Sequence, residues 1–323
     1  MEDVTTMSIS KQSGQALTDI LPLLRSPLCQ ASFGSDALSD DGLCAENGTK
    51  FPIIDSQPVL VNFENSILDR DSLLASKATS LIGPRPVKRQ LWKRILLGRN
   101  TMSPKTAQDL AERLRSQVPD PVVLIIGGGT VSDGAEVLYQ TEGLRIISFD
   151  VYATPNTDFV ADAHDIPLKD QSVDAVWIEA VLEHVLSPHD VVEEIWRVLK
   201  PDGLVYAGTP FLQPVHERAY DFTRFTENGH RWLFRRFNLI ESGVVAGPGT
   251  ALFQILRYAA GALLGSRRWG SRLTAPFFWL RFIDLFSNRA HASDAASGVY
   301  FFGQKSQKTL KPKDMPGEFR GVR

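Results

Sequence analysis

An aliphatic run that leads directly into three glycines is the feature that most constrains the fold of this 323-residue chain. The residues from Val122 to Ile126 are all aliphatic, which is typical of a strand buried on both faces of a parallel sheet. Gly127, Gly128 and Gly129 follow, and residues without a Cβ let the backbone turn sharply and let a ligand approach closely. A helix that begins after such a turn points free N–H groups at the ligand. The pattern therefore predicts an α/β protein with a ligand site at this turn.

Buried strands and helices alternate through the rest of this region, which predicts a doubly wound, mostly parallel sheet. The predicted strands, seven in all, cover residues 122–126, 145–150, 157–161, 174–179, 203–209, 238–246 and 298–304. The predicted helices cover residues 104–117, 132–141, 188–199 and 226–236. Ligands bind such sheets at the carboxyl ends of the strands, so residues that follow the strands are the candidates for function.

The composition favours a soluble protein of the cytoplasm. A hydrophobic content of 43% with 22% charged residues is ordinary for a globular domain. The formal charge of −2 gives no general attraction to nucleic acid, which is therefore not expected as a partner. The two cysteines, Cys29 and Cys44, make no disulfide framework, and the N-terminus lacks the pattern of a signal peptide. No apolar run reaches the roughly 18–20 residues of a membrane-spanning helix. The oligomeric state stays open.

An acidic residue after the second predicted strand narrows the class of ligand. Asp150 follows the glycines by about 20 residues, where a carboxylate can accept hydrogen bonds from both hydroxyls of a ribose. Its structural alternative is a loop aspartate that caps the next turn. The dinucleotide fingerprint G-x-G-x-x-G needs glycine or alanine at the position of Ser132. A nicotinamide-dependent dehydrogenase is therefore only a minor alternative.

Three further segments resemble the motifs of class I S-adenosylmethionine-dependent methyltransferases, in the subgroup often called type 11. Residues 162–176 are similar to D-A-x-x-L-P-F-x-D-x-S-F-D-x-V, and residues 181–185 match V-L-E-H-V. Residues 193–203 match E-x-x-R-V-L-K-P-G-G, with Asp202 in place of the first of the two glycines. The resemblance covers roughly residues 120–210. It implies a Rossmann-like methyltransferase fold and S-adenosyl-L-methionine as the cofactor.

The resemblance also implies roles for single residues. Gly127 and Gly129 would pass under the methionine part of the cofactor, with Gly128 in the same turn, and Asp150 would bind the ribose. The complete set of cofactor-binding residues that it implies is Gly127, Gly128, Gly129, Asp150, Asp162, Ala163 and Glu179.

The adenine and sulfonium ends of the cofactor are assigned in the same way. Asp162 would accept a hydrogen bond from the adenine amino group, and Ala163 would donate its backbone N–H to the ring. Glu179 would face the sulfonium, where a carboxylate suits a fixed cation. This chain has Ile125 where the family usually has an acid, and Val131 where it has a third glycine. An inactive relative that serves as a scaffold or an activator subunit is therefore one alternative.

Candidate catalytic residues follow the fifth predicted strand. Residues 209–226 resemble the P-x-H-x-x-P-x-D-y-x-R-F-T segment of type 11 relatives encoded with sugar- and polysaccharide-building enzymes. On this resemblance His216 is predicted as acid or base, and Asp221 and Arg224 are predicted to position the substrate. A base is needed only if the acceptor must lose a proton. The structural alternative is that Asp221 and Arg224 form an ion pair that orders the loop around a hydrogen-bonded His216.

His184, in the V-L-E-H-V segment, is predicted near the reacting methyl group, and its alternative is to cap the following helix. Glu183 is interpreted as structural, and no metal ligand is predicted. The predicted activity is methyl transfer from S-adenosylmethionine to a small-molecule or sugar-containing acceptor, with oxygen as the expected methylated atom. An RNA or protein methyltransferase is the alternative enzyme.

A small β-rich module is predicted at residues 21–66. It resembles the zinc-ribbon modules related to activator subunits of tRNA and protein methyltransferases, because residues 51–60 keep the tail F-P-I-I-D-S-Q-P-V-L. Ser26 and Asn47 stand where the first and fourth cysteines belong. Tetrahedral zinc needs four good donors, so a degenerate ribbon without metal is predicted.

The remaining segments complete the predicted organisation. It comprises a disordered N-terminus (1–20), a basic connector (67–103), a methyltransferase domain (104–305) with a helical insertion (248–296), and a disordered tail (306–323). The connector is interpreted as a solvated amphipathic helix, or as a patch for a phosphate-bearing substrate, RNA or an anionic membrane. The insertion is a lid over the cleft, a pair of interfacial helices, or part of the core. The second interpretation implies peripheral membrane contact through residues 250–286.

Overall fold

The computed structural model describes residues 17–39, 42–75 and 100–322. Most of the predicted disordered N-terminus and most of the predicted basic connector lie outside the described residues, so both stay predictions.

The described chain contains short N-terminal strands followed by alternating strands and helices. The strands are β1 (Leu38–Ser39), β2 (Gly42–Cys44), β3 (Lys50–Phe51), β4 (Ile53–Ile54), β5 (Gln57–Leu60), β6 (Val122–Ile126), β7 (Arg145–Asp150), β8 (Phe159–Ala161), β9 (Val173–Glu179), β10 (Leu199–Pro210), β11 (Phe237–Ala246) and β12 (Gly298–Lys305). The α-helices are α1 (Leu17–Ile20), α2 (Arg70–Ala75), α3 (Met102–Gln117), α4 (Asp133–Gln140), α5 (Pro188–Val198), α6 (Glu227–Leu233), α7 (Pro248–Leu263), α8 (Arg267–Thr274), α9 (Arg289–Asp294) and α10 (Met315–Glu318). The 3-10 helices cover Leu21–Leu23, Phe63–Asn65, Arg218–Tyr220, Ala275–Leu285 and Pro312–Asp314.

The main sheet has the strand order β11-β12-β10-β9-β6-β7-β8-β5-β4. Its strands from β10 to β5 are parallel, and β12, β11 and β4 are antiparallel to their neighbours. All seven predicted strands are present. The predicted total of seven is nevertheless wrong, because the N-terminal module adds two more strands to the edge. Val59 of β5 pairs with Val160 of β8.

The middle of the sheet is buried on both faces, as the aliphatic run predicts. Every residue of β6 is buried, between β7 and β9. On one face, Trp177 stacks on Tyr206 with ring centroids 3.8 Å apart. On the other face, Phe234 stacks on Phe301 at 4.7 Å. These two apolar layers hold the strands in place, so that the carboxyl ends of β6, β7 and β9 meet at one edge of the sheet.

The N-terminal module shares the core of the main sheet. Strands β1, β2 and β3 form a separate three-stranded sheet. Leu43 and Phe51 of this sheet are buried in the same apolar cluster as Leu168. Among the positions of the predicted ribbon, Cys29 Sγ lies 3.1 Å from Ser26 Oγ. The relation to zinc ribbons stays a prediction.

The helical insertion is joined to the sheet at its start and leaves much apolar surface exposed. Asp284 accepts hydrogen bonds from the Gly249 amide at 2.6 Å and from the Thr250 hydroxyl at 2.6 Å, which ties the Ala275–Leu285 helix to the first turn of α7. No side chain of Ala275–Leu285 is buried. In the part of the chain that the structure describes, no helix is long and apolar enough to cross a membrane.

The C-terminal tail, predicted as disordered, makes contacts with the rest of the chain in its described part. The Leu310 amide donates to the Arg235 carbonyl oxygen at 2.8 Å, and Arg231 Nε donates to Glu318 at 2.7 Å. Composition alone gave no sign of these contacts, because they depend on a partner helix far away in the sequence.

Candidate functional site

The glycine turn (Gly127–Gly129) follows β6 at the carboxyl edge of the sheet. The Gly127 and Gly128 amides both donate to the Phe149 carbonyl oxygen, at 3.0 and 2.9 Å. Gly127 has a φ of +79°, and a Cβ there would come within 2.4 Å of Val181 Cγ2. Only glycine fits this position, because both the backbone angle and the close contact exclude a side chain.

Asp150 lies directly against the glycine turn, as the sequence predicts for a ribose-binding carboxylate. Its Oδ2 accepts a hydrogen bond from the Gly129 amide at 2.8 Å, and its Oδ1 accepts one from the Val151 amide at 2.7 Å. Burial raises the pKa of Asp150 to about 6, although the two amides oppose the shift. The carboxylate is therefore held rigidly at the turn, and it titrates close to neutral pH.

Asp162 follows β8 and is already hydrogen-bonded within the protein. Its Oδ1 accepts from the His164 amide at 3.0 Å and lies 2.6 Å from His164 Nδ1. Its Oδ2 accepts from the Ser66 hydroxyl at 2.5 Å. Burial opposes ionisation, but the bonds from His164 and Ser66 lower the pKa of Asp162 below its usual value. Ala163 is buried beside it. The contact with Ser66, which brings the N-terminal module to this site, was not predicted.

Glu179 ends β9, next to the glycine turn. Its Oε1 accepts hydrogen bonds from Ser103 Oγ at 2.6 Å and Asn100 Nδ2 at 3.0 Å, and burial raises its pKa. Ile125 of β6 pairs with Trp177 of β9, so Glu179, two residues further on, faces the same side of the sheet as Ile125. A carboxylate is thus present on the face of the sheet to which Ile125 belongs.

The predicted catalytic residues come together in one group, which we call the histidine cluster (Glu183, His184, His216, Asp221 and Arg224). The two imidazole rings meet edge to face, with centroids 4.9 Å apart. His184 Nδ1 lies 2.6 Å from the Tyr220 carbonyl oxygen. His216 Nδ1 lies 3.3 Å from Asp221 Oδ2, and the His216 amide donates to the same oxygen at 2.8 Å. Burial, and then the nearby His184, lower the pKa of His216.

Asp221 and Arg224 form the ion pair that the structural alternative expected. Arg224 Nη2 donates to Asp221 Oδ2 at 2.7 Å, and Arg224 Nη1 donates to Oδ1. Arg224 Nε also donates to the Gln213 carbonyl oxygen at 2.9 Å, which closes the loop that carries His216. Although burial raises it, hydrogen bonds from Arg224 and the His216 amide bring the pKa of Asp221 to about 2. The pair therefore orders the loop and also holds the backbone amide of His216.

Glu183, interpreted from the sequence as structural, lies beside both imidazole rings of the histidine cluster. Its side chain is 1% exposed, and its Oε1 lies 3.7 Å from His184 Nε2 and 3.9 Å from His216 Nε2. Neither carboxylate oxygen has a hydrogen-bond partner among the described residues. Burial raises the pKa of Glu183 to about 8. The V-L-E-H-V segment gave no signal for this environment, because His216 reaches Glu183 only through the fold.

The glycine turn and the histidine cluster adjoin. The Val181 side chain lies over Gly127, and the His184 amide donates to the Val181 carbonyl oxygen at 2.8 Å. Ala180, between Glu179 and Val181, has a φ of +56°, a region that non-glycine residues rarely adopt. This sharp turn directs the chain after β9 back across the carboxyl edge of the sheet.

Comparison with known proteins gives a class for the central segment. Residues 138–207 match the family Methyltransf_11, described as a methyltransferase domain. The chain is 44% identical over 55 residues to malonyl-(acyl-carrier protein) O-methyltransferase of Marinomonas sp. (strain MWYL1), which is 17% of this chain and 20% of that protein. It is 32% identical over 131 residues to demethylmenaquinone methyltransferase of Paenarthrobacter aurescens (strain TC1), which is 38% of this chain and 46% of that protein.

The chain thus spans less than half the length of each of these two curated relatives. Among solved structures, phosphoethanolamine N-methyltransferase 2 of Haemonchus contortus, in complex with S-adenosyl-L-methionine, has 16% identity and a TM-score of 0.43. The alignment covers 77% of this chain and 62% of that one. The family match and the names of the relatives support a methyltransferase segment at residues 138–207, within the predicted domain, and the predicted bounds of that domain (104–305) stay a prediction.

Proposed function

We propose that this protein transfers a methyl group from S-adenosylmethionine to an oxygen of a small-molecule or sugar-containing acceptor. The observation that carries the proposal is the contact between the glycine turn and the segment of His184, through Val181. Because of this contact, the turn proposed to bind the cofactor and the two histidines proposed to bind the acceptor lie at the same edge of the sheet. Methyl transfer requires the donor and the acceptor to lie in line at such a junction.

On the cofactor side, the glycine turn passes under the methionine part. Asp150 accepts hydrogen bonds from the ribose hydroxyls. Asp162 accepts one from the adenine amino group, at the oxygen that it shares with Ser66, while Ala163 contacts the ring. Glu179 faces the cationic end of the cofactor, where it takes the place of the acid lost at Ile125.

On the acceptor side, His216 takes the proton of the acceptor hydroxyl through Nε2. This step requires the tautomer whose Nδ1–H faces Asp221, 3.3 Å away, because that tautomer leaves the lone pair on Nε2. Arg224 holds Asp221 in place, and His184 contacts the acceptor beside the methyl group. As the new O–C bond forms, the C–S bond breaks, and neutral S-adenosylhomocysteine leaves.

Calorimetric titration of the full chain with S-adenosylmethionine, S-adenosylhomocysteine and NAD tests the cofactor. We expect dissociation constants of about 1–100 μM for the first two and no binding of NAD. Affinity weaker than about 1 mM for both adenosyl ligands would contradict the proposal. Release of S-adenosylhomocysteine in the presence of sugar nucleotides then tests the acceptor, and His216→Asn is expected to slow release about 100-fold or more at unchanged cofactor affinity.

The second candidate is a non-catalytic scaffold, and the packing around β6 favours it. Ile125 is 2% exposed within an apolar cluster, and Val131 packs against the same cluster. Neither can accept a hydrogen bond from the cofactor. A scaffold of this kind would bind neither adenosyl ligand in the titration above.

We also propose that the protein contacts a membrane surface through residues 250–286. Several large apolar side chains in this insertion are more than half exposed: Leu263, Leu264, Trp269, Leu273, Trp279, Leu285 and Phe286. Basic side chains lie among them, and the Arg272 guanidinium is 4.9 Å from the centroid of the Trp269 ring. Exposed aromatic and aliphatic groups beside arginines suit the headgroup region of an anionic bilayer.

Vesicle flotation tests this contact with the full chain. We expect the protein to float with vesicles that contain phosphatidylglycerol and to remain unbound with phosphatidylcholine alone. Trp269→Ala combined with Trp279→Ala should reduce the bound fraction severalfold. Leu186→Ala, which removes an apolar side chain 60% exposed outside the insertion, is the matched control and should leave flotation unchanged. Equal recovery from both vesicle types and for all variants would contradict the proposal.

A further inference from the structure

The histidine cluster holds a carboxyl group whose hydrogen-bonding capacity is unused by the described residues. Glu183 is almost fully buried, and both of its carboxylate oxygens lack a hydrogen-bond partner there. Removing such a group from water without a partner is unfavourable. A fold that keeps it in this state, at the edge of the sheet where ligands bind, points to a ligand that satisfies it.

Two imidazole nitrogens face the same carboxylate. His184 Nε2 and His216 Nε2 lie 3.7 and 3.9 Å from Glu183 Oε1. One ligand atom from each of the three residues can be chosen so that all lie within 4.8 Å of one another. Nitrogen and oxygen ligands sit about 2.0–2.2 Å from a bound zinc ion, so in a tetrahedral site they are roughly 3–3.5 Å apart. Binding of an ion would therefore draw the three atoms closer together than they lie here.

The second nitrogen of His184 has a hydrogen-bond partner in the protein, and the second nitrogen of His216 lies near Asp221 and Gln213. His184 Nδ1 is 2.6 Å from the Tyr220 carbonyl oxygen, and His216 Nδ1 is 3.3 Å from Asp221, which Arg224 binds in turn. Histidines that bind metals usually donate this other N–H to a carbonyl or a carboxylate, which fixes the lone pair on Nε2. The three candidate ligands therefore lie close together, and the ring of His184 already has such a partner in the Tyr220 carbonyl oxygen.

We propose that Glu183, His184 and His216 bind one divalent transition-metal ion, through a carboxylate oxygen and the two Nε2 atoms. Two imidazoles with one carboxylate suit Zn²⁺, Co²⁺, Mn²⁺ or Fe²⁺, whereas Mg²⁺ and Ca²⁺ prefer oxygen ligands alone. Three protein ligands leave at least one coordination position open for a ligand from solution.

The group that fills this open position is the acceptor hydroxyl, and only this part of the inference rests on the proposed function. A cation lowers the pKa of a bound hydroxyl, so the proton leaves to water and the oxygen attacks the methyl carbon as an alkoxide. When the cation is bound, His216 is one of its ligands and no longer takes the proton of the acceptor hydroxyl. The cation then promotes the loss of that proton.

Titration with Co²⁺ tests the site in the full chain after treatment with a chelator. Thiols also bind such ions, so the titration uses the Cys29→Ser, Cys44→Ser background. We expect one Co²⁺ per chain, with visible absorption bands typical of nitrogen and oxygen ligands. Glu183→Gln should weaken binding about 100-fold and His216→Asn at least about tenfold, because each removes one ligand. His189→Asn, on the exposed face of α5, is the matched control and should bind Co²⁺ like the background protein.

Three results would overturn the inference: no Co²⁺ binding below about 1 mM, a Glu183→Gln variant that binds like the background, or binding that needs the cysteines. Because Glu183 is buried, thermal unfolding of its variant is measured alongside, and His216→Asn, whose side chain is 25% exposed, provides the second reading. A chain that binds S-adenosylmethionine but no Co²⁺ overturns this inference alone. A chain that binds Co²⁺ but not S-adenosylmethionine overturns the proposed function alone.

Discussion

The glycine turn with Asp150 and the histidine cluster lie side by side, but they are built in opposite ways. Both carboxylate oxygens of Asp150 accept a hydrogen bond from a backbone amide, one from Gly129 and one from Val151. In the histidine cluster, Glu183 meets side chains from a segment more than thirty residues later, and its oxygens stay unpaired among the described residues. In the first arrangement each carboxylate oxygen has a partner within the protein. The second holds polar groups that only a ligand, a proton or a cation can satisfy.

The largest expected effect tests whether the histidine cluster depends on its ion pair for structure. Arg224→Met leaves the Asp221 side chain, 1% exposed, without its partner. We expect the free energy of unfolding to fall by about 3 kcal/mol, measured by urea denaturation. Asp109→Asn breaks an exposed pair with Arg113 and should cost less than about 0.5 kcal/mol. Similar losses in both variants would show that the loop is not held by this pair.

The next effect tests the cofactor side. Asp150→Ala removes the carboxylate proposed to bind the ribose, and a hydrogen bond to a charged group contributes about 1.5–3 kcal/mol. We expect the affinity for S-adenosylmethionine to fall about 100-fold in calorimetry. Glu142→Ala, exposed near the amino end of β7, should leave the affinity unchanged. If Asp150→Ala binds as tightly as the parent protein, the ribose lies elsewhere.

The pH dependence of cofactor binding follows from the same residue. The pKa of Asp150 is raised to about 6, so roughly a tenth of its side chains are ionised at pH 5 and nine tenths at pH 7. We expect calorimetry to give an affinity about tenfold higher at pH 7, and a flat profile for Asp150→Asn. The stability of the ligand-free protein depends on pH in the opposite direction. The contribution of Asp150 to stability is greatest below its unfolded pKa of about 3.9 and is lost as the pH rises through about 6.

The smallest effect concerns the link between the insertion and the histidine cluster. The Tyr258 hydroxyl donates to the Val215 carbonyl oxygen at 2.8 Å, one residue before His216. Tyr258→Phe should lower the free energy of unfolding by only about 0.5 kcal/mol, because the bond is exposed to water. Amide hydrogen exchange should nevertheless become faster at residues 213–218. Unchanged amide hydrogen exchange at residues 213–218 would mean that the insertion does not stabilise this loop.

The parts of the fold that follow local rules could be predicted from the sequence. Strands β6, β7 and β9 lie where the aliphatic runs predict them, and Asp150 lies against the turn as expected. The pairing of Val59 with Val160 could not be predicted, because no local pattern records which distant strand covers the edge of a sheet. The total of nine strands was missed for this reason.

The candidate site divides in the same way. The resemblance placed His184, His216 and Asp221 among the functional residues, and they are neighbours in space. Glu183 was interpreted as structural, and nothing in its own segment indicated that it would be buried beside His216. Its burial and its two histidine neighbours arise from the return of the loop after β10, which no spacing in the sequence specifies.

The pairing of β5 with β8 has a consequence for biosynthesis. The ribosome releases Gln57–Leu60 about one hundred residues before Phe159–Ala161, so β5 emerges with only the short strand β4 beside it, and its other edge waits for β8. A chaperone that shields exposed strands would act during this interval. The yield of native protein from cell-free translation should therefore rise when such a chaperone is present from the start of synthesis rather than added at its end.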